Sequence, residues 1–414
     1  MILDPRIRQI PPPGASAHWR AAEPRNLSDL RVLAGIAIDT RREGRLSTRE
    51  EMTDSPTPDP PAVTWLIRIS ETFAGISGDI IHALGGEISK KLGNEYFLIK
   101  LRDPSAIQHS DAAAFLRWNL PVEHAWPCHP EEMDGFVEKA AQALFRKFGG
   151  RQPQAIFMGQ LDPSATLRYY KTLASNLRGR TLQLFPAATA AFKEVEAQDS
   201  KRQTLFCLVG KEGLFCGMQS PRNSNGFYPG GTKFISQDGP DTISRAGAKI
   251  AEALHHLLLH RPLPRKGSHW LELGASPGGM TSELLSRNYK VTAIDRAPLD
   301  PRLDRQPGLF FAKLDVAGFH PNSSMHYDAI LSDMNGDARD AIGQVSRLSK
   351  NLNPGGVVIF TLKTPGATTF LEMTELYRFA VDHAATAGLK LIASTHLTYN
   401  RHELTLFFES APAA

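Results

Sequence analysis

The stretch Trp270-Leu271-Glu272-Leu273-Gly274-Ala275-Ser276-Pro277-Gly278-Gly279-Met280-Thr281 decides the fold. Its apolar first part predicts a buried parallel strand, and residues 280–286 predict the start of a helix. The glycines between them adopt backbone angles that other residues avoid, so the loop can approach a ligand closely. The free N–H groups at the start of the helix then face that ligand. A strand, a glycine loop and a helix in this order predict a site for a nucleotide-like cofactor.

The spacing of the glycines indicates which cofactor to expect. Gly-x-x-x-Gly-Gly, from Gly274 to Gly279, differs from the Gly-x-Gly-x-x-Gly pattern of most dinucleotide-binding proteins. This difference points away from NAD and towards S-adenosyl-L-methionine. We therefore expect the cofactor to lie over the residues of the loop, which are Gly274, Ala275, Ser276, Pro277, Gly278 and Gly279.

Strands and helices alternate after this loop. Strands are predicted at 290–295, 310–315, 327–333 and 355–363, then a helix at 370–385 and a strand pair at 389–394 and 403–408. The alternation predicts an α/β domain with a mostly parallel sheet and helices on both faces. Ligands of such sheets bind at the carboxyl ends of the strands, and Asp295 is expected at the cofactor ribose. The charged residues at predicted strand ends are Asp295, Asp315, Asp333 and Lys363.

Composition limits the class of protein. The 414 residues suffice for two or three domains, and 42% hydrophobic with 22% charged residues is ordinary for a soluble globular protein. Because no apolar run approaches the roughly 18 residues of a membrane span and no signal-peptide pattern is present, we expect a cytoplasmic protein without a membrane partner. The net charge of +4 permits a nucleic-acid partner without requiring one. The oligomeric state is not predicted, and a monomer is the default.

The three cysteines, Cys128, Cys207 and Cys216, show no Cys-x-x-Cys spacing. They predict neither a disulfide framework nor a structural zinc site, and no metal is expected. Small buried thiols are the favoured interpretation.

Three segments precede the catalytic part. Residues 1–61 contain two proline clusters and a charged stretch, which predicts little order, and we hypothesise that translation begins at Met52. Strands at 63–69 and 96–101 with a helix at 74–92 predict an α+β unit over 62–127. Helices at 136–148 and 167–177 with strands at 155–158 and 204–209 predict a second unit over 128–219. Residues 220–240, rich in Gly, Pro, Asn and Ser, predict a linker or a loop that contacts substrate.

The second unit carries a basic segment in which Asp162 is the only acid and Tyr169 and Tyr170 are interleaved. The segment could follow a phosphate backbone and stack bases, or it could be a solvated helix face with two packed tyrosines. The pattern alone slightly favours the solvated face, whereas the class of the catalytic domain favours RNA binding. The basic residues are Arg146, Lys147, Arg151, Arg168, Lys171, Arg178 and Arg180.

A further helix is predicted from an N-cap at Asp241 to about Leu258. Lys249 falls on its polar face with Arg245, Glu252 and His256, so it is by default an ordinary surface lysine. The apolar face consists of Ile243, Ala246, Ile250, Leu254 and Leu257.

The strand-end residues restrict the acceptor of a methyl group. Transfer to a cytosine carbon needs a nucleophilic cysteine, and none follows Cys216. Transfer to an exocyclic amine often uses an Asn/Asp-Pro-Pro-aromatic turn, whereas residues 332–336 are Ser-Asp-Met-Asn-Gly. A hydroxyl acceptor needs a base, and a lysine held neutral can serve. Lys363 is best placed for this role, although a strand-end lysine with a solvated charge explains its position equally well.

Four segments resemble the motifs of FtsJ-type ribose 2′-O-methyltransferases: 272–279, 332–334, 362–363 and 401–404. The resemblance implies a Rossmann-like S-adenosylmethionine-dependent domain with a Lys-Asp-Lys-Glu tetrad. Its first lysine follows Ser-Arg-x-x-x, matched by Ser244 to Lys249, and the others are Asp333, Lys363 and Glu403.

The resemblance also implies a role for each residue of the tetrad. Lys363 removes the 2′-proton with help from the charge of Lys249, and Asp333 orients the base beside the methionine end of the cofactor. Glu403 positions the lysines or the sugar, and Asp315 lies near the adenine.

Residues 223–228 and 362–365 are similar to the branch of this family that methylates a cytidine of large-subunit (23S) ribosomal RNA. The similarity covers residues 215–408 and weakens before them. It implies a ferredoxin-like unit at 62–127, a THUMP-like RNA-binding domain at 128–219 and the methyltransferase domain at 241–414. Two features depart from the family: the small run Ala246-Gly247-Ala248 and the first 60 residues.

Two other functions remain open at this point. The same tetrad also serves transfer RNA and mRNA caps, so another RNA could be the substrate. A non-catalytic RNA-binding or assembly protein could also keep the cofactor fold, although retention of both lysines speaks against it.

Overall fold

The computed structural model describes residues 62–161, 168–185, 195–236, 239 and 242–412. The predictions for residues 1–61, including the start at Met52, and those for Asp162 and Asp241 lie outside this part of the chain. The described residues form three β-sheets that follow one another in sequence.

The first sheet contains β1 (Val63–Ile69), β2 (Gly86–Leu92), β3 (Tyr96–Leu101) and β4 (Leu116–Pro121). Its order is β2-β3-β1-β4, and all neighbours are antiparallel. Helices α1 (Ser77–Ala83) and α2 (Ala106–His109) connect the strands. The ferredoxin-like assignment stays a prediction.

The helix predicted over 74–92 is wrong beyond Ala83. Gly85 has a left-handed φ of +69°, which favours the end of the helix. The residues after it pair with β3 and form the edge strand β2. Apolar spacing alone did not separate a short helix from a mostly exposed edge strand.

The second sheet contains β5 (His124–Trp126), β6 (Ile156–Gln160), β7 (Thr204–Gly210) and β8 (Gly213–Gln219) in the order β5-β8-β7-β6. Helices α3 (Phe136–Phe148) and α4 (Tyr169–Leu184) pack on it through a shared core. Cys207 and Cys216 are paired across β7 and β8, are buried and form no disulfide. The predicted free thiols are confirmed, although Cys128 is only half-buried. The THUMP-like assignment stays a prediction.

The third sheet contains β9 (His269–Leu273), β10 (Lys290–Asp295), β11 (Leu309–Lys313), β12 (Tyr327–Ser332), β13 (Leu352–Lys363), β14 (Leu389–Thr395) and β15 (Glu403–Ser410). The order is β11-β10-β9-β12-β13-β15-β14. The first five strands in this order are parallel, and β15 is antiparallel to both of its neighbours. This is the predicted mostly parallel, Rossmann-like sheet.

Helices cover both faces of the third sheet. Helices α5 (Ala246–Leu257) and α6 (Gly279–Ser286) share a core with Trp270 of β9. Helices α7 (Ala338–Leu348) and α8 (Phe370–Thr386) share a core with Leu271, the next residue of the same strand. Successive side chains of a strand point to opposite faces, so β9 is buried on both sides, as its continuous apolar run predicts.

The first sheet joins the other two. Ile67 of β1 belongs to the core that includes α7 and α8, whereas Leu66 belongs to a core with Phe206 and Phe215 of the second sheet. The first sheet therefore shares one apolar core with the third sheet and another with the second. Within the described ranges no helix has both the length and the apolar character needed to cross a membrane.

Candidate active site

Four charged side chains meet at the carboxyl ends of β12 and β13. Lys363 is the last residue of β13 and pairs with Glu403, the first residue of β15. Asp333 directly follows β12, and Lys249 lies in the first turn of α5. Parallel strands bring their carboxyl ends to one edge of a sheet, so residues far apart in sequence converge there.

The four residues form a charge-balanced cluster. Lys249 Nζ lies 2.5 Å from Glu403 Oε1 and 3.2 and 3.3 Å from the two carboxylate oxygens of Asp333. Lys363 Nζ lies 3.2 Å from Asp333 Oδ1 and donates a hydrogen bond to Asn335 Oδ1 at 2.7 Å. Lys363 is the most exposed of the four side chains, at 21%. One lysine is therefore held between two carboxylates, and the other is more open to solvent.

The prediction that Lys249 is an ordinary surface lysine is wrong. Lys249 is buried, as are Glu252 and His256 on the same side of α5. Protein covers this side: Thr398 donates its N–H and its hydroxyl to Glu252 at 2.8 and 2.6 Å, and His256 stacks on the ring of Phe407. The helical periodicity identified the face correctly but could not show that a later loop covers it.

A cavity of about 600 Å³ opens beside Lys363. This volume suits a ligand of nucleotide size. Lys249 and Glu403 are absent from its lining, so the cavity reaches the tetrad from the side of Lys363 and Asp333. The predicted cofactor residues that line it are Gly274, Ala275, Ser276, Pro277, Gly279, Asp295, Asp315 and Asp333.

Gly278 is the one predicted cofactor residue that does not line the cavity. Its φ is +106°, and a Cβ there would lie 2.3 Å from Leu303 Cδ1. Gly274 has φ +79°, and a Cβ there would lie 2.9 Å from Met334 Cα, in the segment after β12. These glycines therefore allow protein segments to approach one another, and their role in ligand approach stays a prediction.

The two predicted ribose and adenine carboxylates also fix backbone. Asp295 accepts the N–H groups of Ser276 and Ala297 at 2.9 and 2.8 Å, so it ties the glycine loop to the end of β10. Asp315 accepts the N–H of Ala317 at 2.9 Å. It lies two residues beyond the end of β11, whereas the sequence argument placed it at the strand end.

Glu272 of β9 is a cavity residue to which sequence reasoning gave no role. It is 2% exposed, lines the cavity and accepts a hydrogen bond from the hydroxyl of Thr281 at 2.7 Å. Burial above all, together with the negative charges of Asp333 and Asp295, raises the pKa of Glu272 to about 8. An acid inside an otherwise apolar strand was the available signal.

The basic segment of the second unit divides into two groups. Arg151 pairs with Glu123, Arg180 pairs with Glu138 at 2.6 Å, and Arg178 donates to the carbonyl of Ile156 at 2.9 Å. The other side chains are exposed and have no hydrogen-bond or ion-pair partner within the described residues: Arg146, Lys147, Arg168 and Lys171. Tyr169 is 42% exposed, whereas Tyr170 is buried beside it.

The Asn-rich loop lies between the units. Asn225, at φ +63°, donates its amide to the carbonyl of Leu116 at 3.0 Å and to the hydroxyl of Thr395 at 2.9 Å. Its amide oxygen lies 2.9 Å from His256 Nε2, and Phe227 is fully buried. Arg117 of β4 donates to the carbonyl of Leu397 at 3.2 Å. The loop therefore fastens the first sheet to α5 and β14.

The comparisons identify the class of this domain. Residues 242–373 match the family described as FtsJ-like methyltransferase. The predicted resemblance is confirmed over these residues, and the domain has the Rossmann-like fold of S-adenosylmethionine-dependent methyltransferases. The predicted cofactor, S-adenosyl-L-methionine, is the one that this family uses.

Curated relatives carry one particular name. The chain is 33% identical over 213 residues to Ribosomal RNA large subunit methyltransferase M of Halorhodospira halophila, covering 51% of this chain and 59% of the relative. It is 27% identical over 228 residues to the protein of the same name from Ectopseudomonas mendocina, covering 53% and 63%. The chain thus spans less than two thirds of either relative.

Among solved structures, TrmN from Thermus thermophilus aligns over 84% of this chain and 99% of its own. The sequence identity is 16% and the TM-score is 0.32, which is too low to bear on function.

Proposed function

We propose that the protein transfers a methyl group from S-adenosylmethionine to a ribose 2′-hydroxyl of RNA, with a cytidine of large-subunit (23S) ribosomal RNA as the target. The convergence of Lys249, Lys363, Asp333 and Glu403 carries this proposal, because it sets a lysine beside a cofactor-sized cavity. The name of the curated relatives supports the choice of ribosomal RNA. With that target the enzyme acts in the cytoplasm.

The cavity suits the cofactor in size and in lining. Asp295 and Asp315 offer carboxylates at the ends of neighbouring strands, where the ribose and the adenine would lie. Asp333 and Lys363 mark the end of the cavity where methyl transfer would take place. The cofactor supplies a methyl group on a sulfonium sulfur, which is displaced in line.

The acceptor ribose would lie on the side of the tetrad formed by Lys249 and Glu403, since neither lines the cavity. Lys363 takes the proton of the 2′-hydroxyl. The 2′-oxygen would bond to the methyl carbon as the carbon–sulfur bond broke, and the electron pair of that bond would stay on sulfur. Lys249, which contacts Asp333 and Glu403, would assist this base with its charge.

The four exposed basic residues of the second unit would contact the RNA backbone. Arg146, Lys147, Arg168 and Lys171 are available for phosphates, whereas Arg151 and Arg180 already have acidic partners. Their exposure is compatible with RNA binding, and the name of the curated relatives supports this choice over a merely solvated helix face.

A transfer assay tests the proposal. The purified protein is incubated with S-adenosylmethionine carrying a labelled methyl group and with large-subunit RNA from cells that lack the gene, and the RNA is digested to nucleosides. We expect the label in 2′-O-methylcytidine. Label in a base-methylated nucleoside, or no label in any RNA, contradicts the proposal.

A further inference from the structure

The two lysines of the tetrad differ in their partners. Lys249 Nζ contacts the carboxylates of Asp333 and Glu403. Lys363 Nζ contacts Asp333 Oδ1 at 3.2 Å, and its shorter contact, 2.7 Å, is to the neutral amide oxygen of Asn335. Asn335 also lines the cavity. The closest partner of the proposed base is therefore an uncharged acceptor.

The segment that carries Asn335 is anchored at both ends. Asp333 donates its N–H to the carbonyl of Leu273 at 3.1 Å. Asp337 caps α7 by accepting the N–H of Arg339 at 2.6 Å. These anchors restrict the backbone that carries Asn335, whose exposed side chain reaches Lys363.

A neutral lysine amine has two N–H groups and one lone pair. Asp333 Oδ1 and Asn335 Oδ1 can accept one N–H group each, which leaves the lone pair in the remaining direction to receive a proton. The amide oxygen of Asn335 accepts an N–H group without carrying a negative charge. A carboxylate in the same place would favour the charged form of Lys363, which cannot act as a base.

The surroundings of Lys363 are already acidic. Asp333, Glu403 and the positive charge of Lys249 belong to the same cluster. The other charged or titratable groups that line the cavity with Lys363 are Glu272, Asp295, Arg296, Asp315, Asp337, Arg339 and Asp340. Acids outnumber the bases in this lining, so a neutral side chain at position 335 avoids one more carboxylate beside the base.

We propose that Asn335 is a positioning residue for Lys363, which together with Asp333 directs the lone pair of the amine without favouring its charged form. This role rests on the proposed function. Asn335 lies outside the Lys-Asp-Lys-Glu tetrad, and the proposal gives it the role of orienting the amine of Lys363.

The test compares Asn335→Asp and Asn335→Ala in the full chain by their pH–rate profiles for RNA methylation. In Asn335→Asp we expect the rise of activity with pH to move by at least about one pH unit to the alkaline side. Activity near neutral pH then falls about tenfold and is recovered on raising the pH. In Asn335→Ala we expect a loss of roughly tenfold in kcat at every pH, because an acceptor is lost and no charge is added.

The matched control is Asn322→Asp, which makes the same chemical change in the exposed loop before β12, at the opposite end of that strand. Its profile should equal that of the wild type, and calorimetry should show cofactor binding by all variants. An active wild type with an unshifted Asn335→Asp profile overturns the role of Asn335 alone. A wild type that methylates no RNA overturns the proposed function, and this role with it.

Discussion

At the scale of single residues, the site contains side chains of the same type in different environments. Lys249 lies between the carboxylates of Asp333 and Glu403. Lys363 also contacts Asp333, and its second partner is the amide oxygen of Asn335. Glu272 and Asp333 are both carboxyl groups of the cavity, but Glu272 is buried and is largely protonated at neutral pH. Residues of the same type therefore differ in their surroundings within this site.

Glu272 should make stability depend on pH. Its pKa is raised from 4.5 to about 8, so the folded state retains a proton that the unfolded state loses. Its contribution to the free energy of unfolding is complete below pH 4.5 and is lost as pH rises towards 8, by up to roughly 4 kcal/mol. Urea unfolding at pH 5 and pH 8 measures this loss, and Glu272→Gln should remove most of it. An equal loss in that variant would assign the effect to other groups.

The sequence predicted the tetrad because its four positions match a family motif. It could not predict that Lys249 is buried, since Asp333 and Glu403, which contact its amine, come much later in the chain. The sequence also could not predict the contact of Asn335 with Lys363 or the raised pKa of Glu272. Both depend on residues that lie far apart in the chain and meet in the folded sheet.

At the scale of elements, the glycine loop is fitted to protein as much as to cofactor. Gly274 allows the segment after β12 to approach β9, and this approach brings Asp333 next to the cavity. The loop is thereby held between Asp295 on one side and Met334 on the other.

Gly274→Ala should therefore cost more stability than a left-handed backbone alone explains. Gly267→Ala is the matched control, because Gly267 has φ +85° and a Cβ there would meet nothing within 4 Å. Each variant should lose about 1–2 kcal/mol from its backbone angle, and Gly274→Ala about 1–2 kcal/mol more from the contact with Met334. Thermal unfolding measures the two losses of stability. Calorimetric titration with S-adenosylmethionine measures cofactor binding by each variant. Equal losses of stability would show that the close approach is unimportant.

Elements with strong patterns were predicted with accurate bounds. Strands β1, β3 and β10 begin and end where predicted, as does helix α3. The errors fall on β2, which was predicted as helix, and on elements that were not predicted, which are β4, β5, β8 and α7. For β2 the side-chain pattern does not mark the element, because pairing with β3 across the chain decides its structure.

At the scale of the molecule, the first sheet and the Asn-rich loop hold the two larger units together. Asn225 and Arg117 contact the segment 395–397, at the end of β14 and the start of its connection to β15. The basic residues of the second unit are therefore connected through packed protein to the end of the third sheet that carries the proposed site. This arrangement would place an RNA strand at one unit and its ribose at the other.

RNA binding should depend on the exposed basic residues. Replacing Arg146 and Lys147 with glutamine should weaken binding and reduce the slope of log Kobs against log salt by about 1 to 2, because fewer counterions are released. Fluorescence anisotropy over a salt series measures the slope. The double change of Lys90 and Lys91 on β2 removes the same charge from another exposed surface and should leave the slope unaltered. An equal reduction in both variants would indicate only non-specific attraction.

The central claim is that Lys363 is the base for ribose methylation, and one map tests it most directly. Ribose methylation is mapped across total RNA from cells without the gene, complemented with the wild type or with Lys363→Ala. We expect one 2′-O-methyl group in large-subunit ribosomal RNA to disappear with the gene and to return only with the wild type, because loss of a general base costs roughly 10²–10⁴-fold in rate. The variant should still bind S-adenosylmethionine in calorimetry. A map that is unchanged without the gene, or restored by Lys363→Ala, would contradict the claim.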